Sequence, residues 1–226
     1  MRISRFFGIS IVVSALAIPS LPGGSDKVFW IVPDHPTDPR LRLEDHTWVL
    51  PFQGLEIRVR FLDTSGRLAF LEERQPTFPD FFASDGLFPE EYQFFRVDLK
   101  NSGEEKVTFH PGNVVVITNK NDQEFPLDYT DFYRRLTRKG GKTEKHLKQV
   151  PSLFYDGSLT LRPGESTSKL LAFPAPRRKW KRLQLYVSFL QLGTESHSFR
   201  FPFSRQAGAG PEPLTGKESP DSGQNP

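Results

Sequence analysis

The chain has 226 residues, 36% of them hydrophobic and 13% aromatic, with 20 Pro, 21 Phe, one Met and no Cys, and a formal net charge of +3. The missing cysteines exclude disulfide frameworks, Cys-ligated zinc, iron–sulfur clusters, thiol chemistry and cysteine nucleophiles. The small net charge hides a division: Asp26 to Tyr133 carries 20 acidic and 11 basic residues, whereas Arg134 to Ser204 carries 15 basic and four acidic.

Residues 1–24 read as a signal peptide. Arg2 and Arg5 precede an apolar run from Phe6 to Ile18, too short to span a bilayer, and small residues at Ala15 and Ala17 suit cleavage near 17–20. This predicts a periplasmic or extracellular protein with no transmembrane segment after cleavage. Residues 25–90 begin with Lys27 to Val32, an edge strand of the fold or a strand offered to a partner's sheet. Leu55, Ile57, Val59 and Phe61 then alternate with Glu56, Arg58 and Arg60, the period of a half-buried strand. Asp63 to Gly66 is a turn, and Arg67 to Glu73 returns as a second strand or a helical turn. Between Glu72 and Glu91, Phe78, Phe81, Phe82 and Phe88 lie among acids and prolines. This loop either caps an open end of the fold or presents its rings to a partner or a sugar. The spacing leaves two arrangements open: residues 25–90 join the domain that follows or form a small one of their own.

The region 91–205 continues the strand pattern. Phe95, Val97 and Leu99 alternate up to Asn101-Ser102-Gly103, and Val107 and Phe109 resume, which predicts a hairpin with Gly103 at positive φ. Val114 to Thr118 reads as a buried strand. Asp128 stands at an N-cap position, and Tyr129, Phe132, Tyr133 and Leu136 follow at helical spacing, so 128–149 is a helical, basic insert. Ser158 to Leu161, the turn Arg162-Pro163-Gly164-Glu165 and Thr167 to Phe173 predict another hairpin. Leu183 to Phe189 alternates again, and after a turn at Gly193 so do Phe199, Phe201 and Phe203. Seven or more short strands with Pro/Gly turns make the chain mainly β: a two-sheet antiparallel immunoglobulin-like sandwich with a short helical insert. Residues 206–226, rich in Pro, Gly and polar side chains, read as a disordered tail.

Three pieces between Tyr92 and Phe203 carry a resemblance. They are the strand ending in Leu99-Lys100-Asn101-Ser102-Gly103, the Leu161-Arg162-Pro163-Gly164-Glu165 turn with its strand to Leu171-Ala172-Phe173-Pro174, and the Leu183 to Phe189 strand. In this half of the chain the sequence resembles the immunoglobulin-like (telokin-like) domains of exported bacterial proteins of uncharacterised function. The resemblance implies a non-catalytic envelope or extracellular module and transfers no active-site residue.

No nucleophile elbow, phosphate-binding loop or dinucleotide fingerprint occurs. His35, His46, His110, His146 and His197 lack metal-site spacing, so neither a cofactor nor a metal is expected. What remains is contact chemistry. Two basic clusters are the candidate surface for a partner or an anion: Arg134, Arg135, Arg138, Lys139, Lys142 and Lys145, with Lys148 beyond, then Arg177, Arg178, Lys179, Lys181 and Arg182. Phe78, Phe81, Phe82, Phe88 and Trp180 are candidate aromatic contacts. The expected partner is an envelope protein, with a glycan or anionic polymer such as a glycolipid or cell-wall chain as the alternative. No nucleic-acid reader motif accompanies the charge, and the aromatics are not interleaved with it as stacking platforms.

Overall fold

The computed structural model describes residues 29–207 except 37, 84, 89 and 139–144. The expected signal peptide, most of the expected tail, and Lys139 and Lys142 of the basic insert lie outside the described residues.

Twelve strands form two antiparallel sheets among the described residues. The first contains β1 (Phe29–Pro33), β12 (Glu195–Ala207), β11 (Arg182–Leu192), β6 (Val107–Phe109) and β9 (Leu159–Leu161) in that order, with β7 (Val114–Thr118) also on β11 and β8 (Gln123–Glu124) on β7. The second runs β10 (Ser166–Pro174), β5 (Tyr92–Asn101), β4 (Leu55–Leu62), β3 (Thr47–Phe52), β2 (Arg42–Glu44). β1 is the edge strand paired to β12, and β12 extends through Gln206 and Ala207, two residues into the expected tail.

The inner faces follow the period-two pattern. Ile57, Val59, Phe95, Val97, Leu99, Leu171 and Phe173 from one sheet meet Leu183, Leu185, Val187, Phe199, Phe201 and Phe203 from the other in a single core. Trp48 ties the layers together: its indole N–H donates to the Pro202 carbonyl at 2.7 Å, which satisfies the polar atom of a fully buried ring. The hairpin turns are tight. Gln53 (φ 47°) and Gly54 (φ 81°) join β3 to β4, and Asp45 (φ 42°) and His46 (φ 57°) join β2 to β3; paired positive φ values match the twist of the flanking strands. Gly193 (φ 60°) turns β11 into β12.

Two predicted hairpins are crossovers instead. β5 pairs with β4 and β10, and β6 with β11 and β9, so the chain leaves one sheet for the other at Asn101–Gly103 and crosses back between β9 and β10. Gly103 serves through its size and not through its φ: it has no positive φ, and its missing side chain lets the backbone of Gly54 approach. Buried Asn101 holds both crossings. Its Nδ2 donates to the carbonyls of Glu105 (2.8 Å) and Leu161 (3.2 Å), its Oδ1 accepts from Gly103 N, and its backbone bonds Glu165 and Gly164.

The segment after β4 is a helix, α1 (Thr64–Arg74), not a strand. Asp63 is its N-cap, accepting from the Gly66 amide at 2.7 Å and the Ser65 hydroxyl at 2.8 Å, a local bond that outcompetes strand pairing. The insert forms α2 (Tyr129–Arg138), a 3₁₀ turn at Lys145–Gln149 and α3 (Val150–Leu153). Asp128 and Asp131 cap α2 reciprocally, each carboxylate accepting from the other residue's amide.

These helices and the Phe-rich loop cover the outer face of the second sheet over a second core. It joins Leu62, Phe94, Leu170 and Ala172 of the sheet to Phe70 and Leu71 of α1, Phe132 and Leu136 of α2, Val150, Leu153 and Phe154. The molecule therefore has a third, helical layer. The exposed edge of β10 is closed by the same layer, with Leu127 N donating to Ala172 O and Tyr155 N to Leu170 O.

Candidate binding surfaces

The candidate aromatic contacts are core residues. Phe78, Phe81, Phe82 and Phe88 are at most 9% exposed, and Trp180 is 7% exposed within the inter-sheet core. The loop does not cap an open end: it lies on the outer sheet face, where Phe82 packs against Phe88 (4.5 Å, stacked), Phe94 (4.8 Å, edge-on) and Tyr92 (5.1 Å). The sheet presents apolar residues outward here, and those rings are what cover them. Rings buried this way have no face left for a sugar or partner.

The loop is anchored by charge as well. Arg67 of α1 reaches Asp80 at 2.6 Å with both side chains largely buried, and Arg135 of α2 forks Glu90 with two bonds of 2.9 Å. Its guanidinium lies 4.9 Å from the Phe88 ring. Arg135 is thereby committed to an internal tie. The bond to Arg135 holds the Glu90 carboxyl below its usual range, and burial pushes the Tyr92 phenol, which donates to Glu90, up to about 12.

The rest of the insert is outward. Arg134 is exposed, 4.0 Å from Asp131, and Arg138, Lys145 and Lys148 are exposed as well. Half of the helical stripe faces solvent with them: Tyr129 is 46% and Tyr133 50% exposed, their rings stacked at 6.2 Å, while Phe132 and Leu136 are buried. Phe125, 57% exposed, lies four residues before Tyr129. Three of the exposed large apolar side chains thus fall within nine residues of chain.

The second basic cluster lies on the connection from β10 to β11, where Arg177, Arg178, Lys179, Lys181 and Arg182 are all exposed. Asn119 accepts from the Lys181 and Arg182 amides, Arg178 stands 3.6 Å from Asp122, and Arg182 3.3 Å from Asp34. This cluster sits against the β7–β8 turn and has acidic neighbours there. Its start adjoins the loop that Arg135 anchors, since Ala175 N donates to Glu91 O.

The sequence reading did not signal a cleft of about 450 Å³ between edge strand β1 and α1. Trp30, Ile31 and Pro33 form one wall, Phe61, Ala69 and Phe70 another, with Arg60 and Arg96 at its polar side. Its residues come from β1, the β2–β3 turn, β4, β5 and α1, so no local spacing announces it. Among the described residues no group of three or more His, Asp or Glu side chains is placed to hold a metal ion, and no helix is long and apolar enough to cross a membrane.

No protein-family model matches the chain, and no curated protein matches it. Among solved structures, the yjhA protein from Bacillus subtilis is similar at 10% identity over 67% of this chain and 93% of that one, with a TM-score of 0.35. A likeness at that level carries no argument about what this chain does.

Proposed function

We propose that the protein is an exported, non-catalytic immunoglobulin-like module of the bacterial envelope or exterior that works by contact with another envelope protein. The contact surface is the outward face of α2. The observation that carries this reading is the stacked, exposed Tyr129–Tyr133 pair with exposed Arg134 and Arg138 on the same short helix. Tyrosine supplies large contact area at small entropic cost and arginine supplies charge-assisted bonds, and both are over-represented among the residues that dominate protein interfaces. The helix is rigidly seated: Phe132 and Leu136 are fully buried beneath it and Arg135 is tied to Glu90. A preorganised surface loses less freedom on binding.

The test is affinity capture from native envelope extract at low and high salt, comparing the protein with Tyr129→Ala/Tyr133→Ala and Arg134→Glu/Arg138→Glu variants. A protein partner retained at high salt by the native chain and lost by the tyrosine variant supports the reading. Capture that neither variant weakens overturns it. Recovery of only an anionic polymer, released as salt rises, points instead to electrostatic glycan or cell-wall binding through the basic clusters.

A further inference from the structure

The outer face of the five-stranded sheet changes character along its strands. Register places Leu62, Phe94 and Ala172 in one row, Arg60, Arg96 and Leu170 in the next, then Arg58, Asp98 and Ser168, then Glu56, Lys100 and Ser166. The first row lies under the helical layer. Where α1 ends at Arg74 the face opens into a trough of about 310 Å³, lined by Arg58, Arg74, Arg96, Lys100, Ser166 and Ser168, with Glu56 and Asp98 the carboxylates at its wall.

Four cations and two carboxylates line this trough, and Glu44 and Glu73 stand just outside it, 2.9 Å from Arg58 and 3.9 Å from Arg74. Beside the trough, Arg60 and Arg96 stand directly opposite each other across β4 and β5, an arrangement that like charges disfavour, and Asp45 lies 3.5 Å from Arg60. The guanidiniums are nonetheless held in place. Those of Arg74 and Arg96 lie 5.7 and 5.6 Å from the ring of Phe70, Asp98 accepts from Arg96 Nε at 2.9 Å, and Glu44 and Glu56 bracket Arg58. The Ser168 hydroxyl is buried with no hydrogen-bond partner among the described residues. Fixed guanidinium donors from three different elements, converging on one trough beside Lys100, describe a site prepared for an oxyanion.

We propose that this trough binds a phosphate ester of a polyol or sugar. The three guanidiniums come from β4, β5 and α1 and so approach from different sides, which suits a tetrahedral phosphate better than a planar carboxylate. The volume exceeds that of bare phosphate, and exposed Ser166 offers a hydroxyl to the alcohol part. Glu56 and Asp98 accept from ligand hydroxyls. The site is independent of the α2 surface and of the contact reading above. A free phosphate ester and a phospholipid headgroup present the same chemistry.

Calorimetric titration of the full chain with inorganic phosphate and glycerol 3-phosphate, and flotation with phosphatidylcholine vesicles with and without phosphatidylglycerol, test it. Saturable binding, tighter for glycerol 3-phosphate than for inorganic phosphate and weakened about tenfold or more by Arg58→Gln/Arg74→Gln, supports the site. Binding confined to phosphatidylglycerol vesicles and sensitive to the same substitutions assigns the ligand to a lipid headgroup. Lys120→Gln/Arg200→Gln, on the other sheet and outside both the trough and α2, leaves both unchanged, and circular dichroism and thermal unfolding verify that each variant is folded. No saturable binding of any probe, or equal weakening by the two double variants, overturns the proposal.

Discussion

Arg67 on α1 donates to Asp80 in the Phe-rich loop at 2.6 Å, with its guanidinium 4.7 Å from the ring of Phe94 and 5.9 Å from that of Phe82. One buried cation thus joins helix, loop and sheet. The pair is 8% and 16% exposed at its two side chains, and Arg67 Nε has no hydrogen-bond partner among the described residues, so the guanidinium depends on this one carboxylate for compensation. Asp80→Ala leaves a buried charge unpaired. The expected loss is about 3 kcal/mol of unfolding free energy in urea denaturation, and Asp80→Asn, which keeps an acceptor, loses less. Equal stability of Asp80→Ala and native protein would show that the pair is dispensable.

The Arg135–Glu90 fork makes a weaker, pH-dependent tie between α2 and the same loop. Glu90 has its carboxyl pKa lowered from 4.5, chiefly by the hydrogen bonds from Arg135. A carboxyl lowered on folding contributes stability that is fully present above its unfolded value and disappears as pH falls through the folded one. Glu90 is more than half exposed, so solvent screening limits the contribution to about 1 kcal/mol or less. Glu90→Gln is accordingly expected to be less stable than native protein at pH 7, with the difference closing only as pH falls through the lowered pKa of Glu90. A difference that persists unchanged at low pH would assign the effect to packing.

Gly54 carries a steric demand on top of a conformational one. Its φ is +81°, and a Cβ added there would lie 2.5 Å from Gly103 Cα and 2.8 Å from Gly103 N. Both obstacles are backbone, which cannot rotate aside. Gly54→Ala is expected to destabilise by about 2 kcal/mol or more in thermal or chemical unfolding. Gly164→Ala shares the positive φ, at +84°, but meets nothing within 4 Å, and so is expected to lose about 1 kcal/mol. Equal losses at the two positions would mean the Gly54–Gly103 approach costs nothing.

Strands with one buried face were legible because period-two alternation records that burial: Leu55 to Phe61, Phe95 to Leu99 and Leu183 to Val187 lie where the pattern put them, whereas Phe189, expected in the same phase, is 66% exposed at a bulge with φ 52°. Strand pairing was not, because alternation names the buried face and says nothing of which neighbour supplies the hydrogen bonds. Asn101-Ser102-Gly103 has the composition of a hairpin turn and serves as a bridge between sheets. Composition likewise fails to distinguish rings exposed in a loop from rings covering a sheet, and Phe78 to Phe88 proved to be the latter. Phe94, Leu170 and Ala172 were the overlooked signal: apolar residues at the outward positions of otherwise alternating strands imply something packed over them. The Arg58–Arg74–Arg96 trough had no such trace, since its residues meet only through the register of β4 and β5 and the end of α1.

Asn101 concentrates the dependence of the fold on side-chain hydrogen bonding. It is fully buried, and its amide supplies two donors to carbonyls of the segments on either side of the crossovers, Glu105 and Leu161, while its oxygen takes the Gly103 amide. Asn101→Leu fills a similar space but strands these groups without water to replace the lost partner. Each unsatisfied buried group costs about 1 kcal/mol or more, so the expected loss is about 3 kcal/mol. Asn101→Asp is expected to fare as badly at neutral pH, because its carboxylate has no donor to offer the two carbonyls that the Asn101 amide serves. Protonating that carboxyl restores one donor, which makes the deficit of Asn101→Asp shrink as pH falls, whereas that of Asn101→Leu does not. Chemical denaturation of both variants at neutral and acid pH separates the two outcomes. A parallel pH response would indicate that the crossovers are held by their backbone bonds to Glu165 and Gly164 rather than by the side chain.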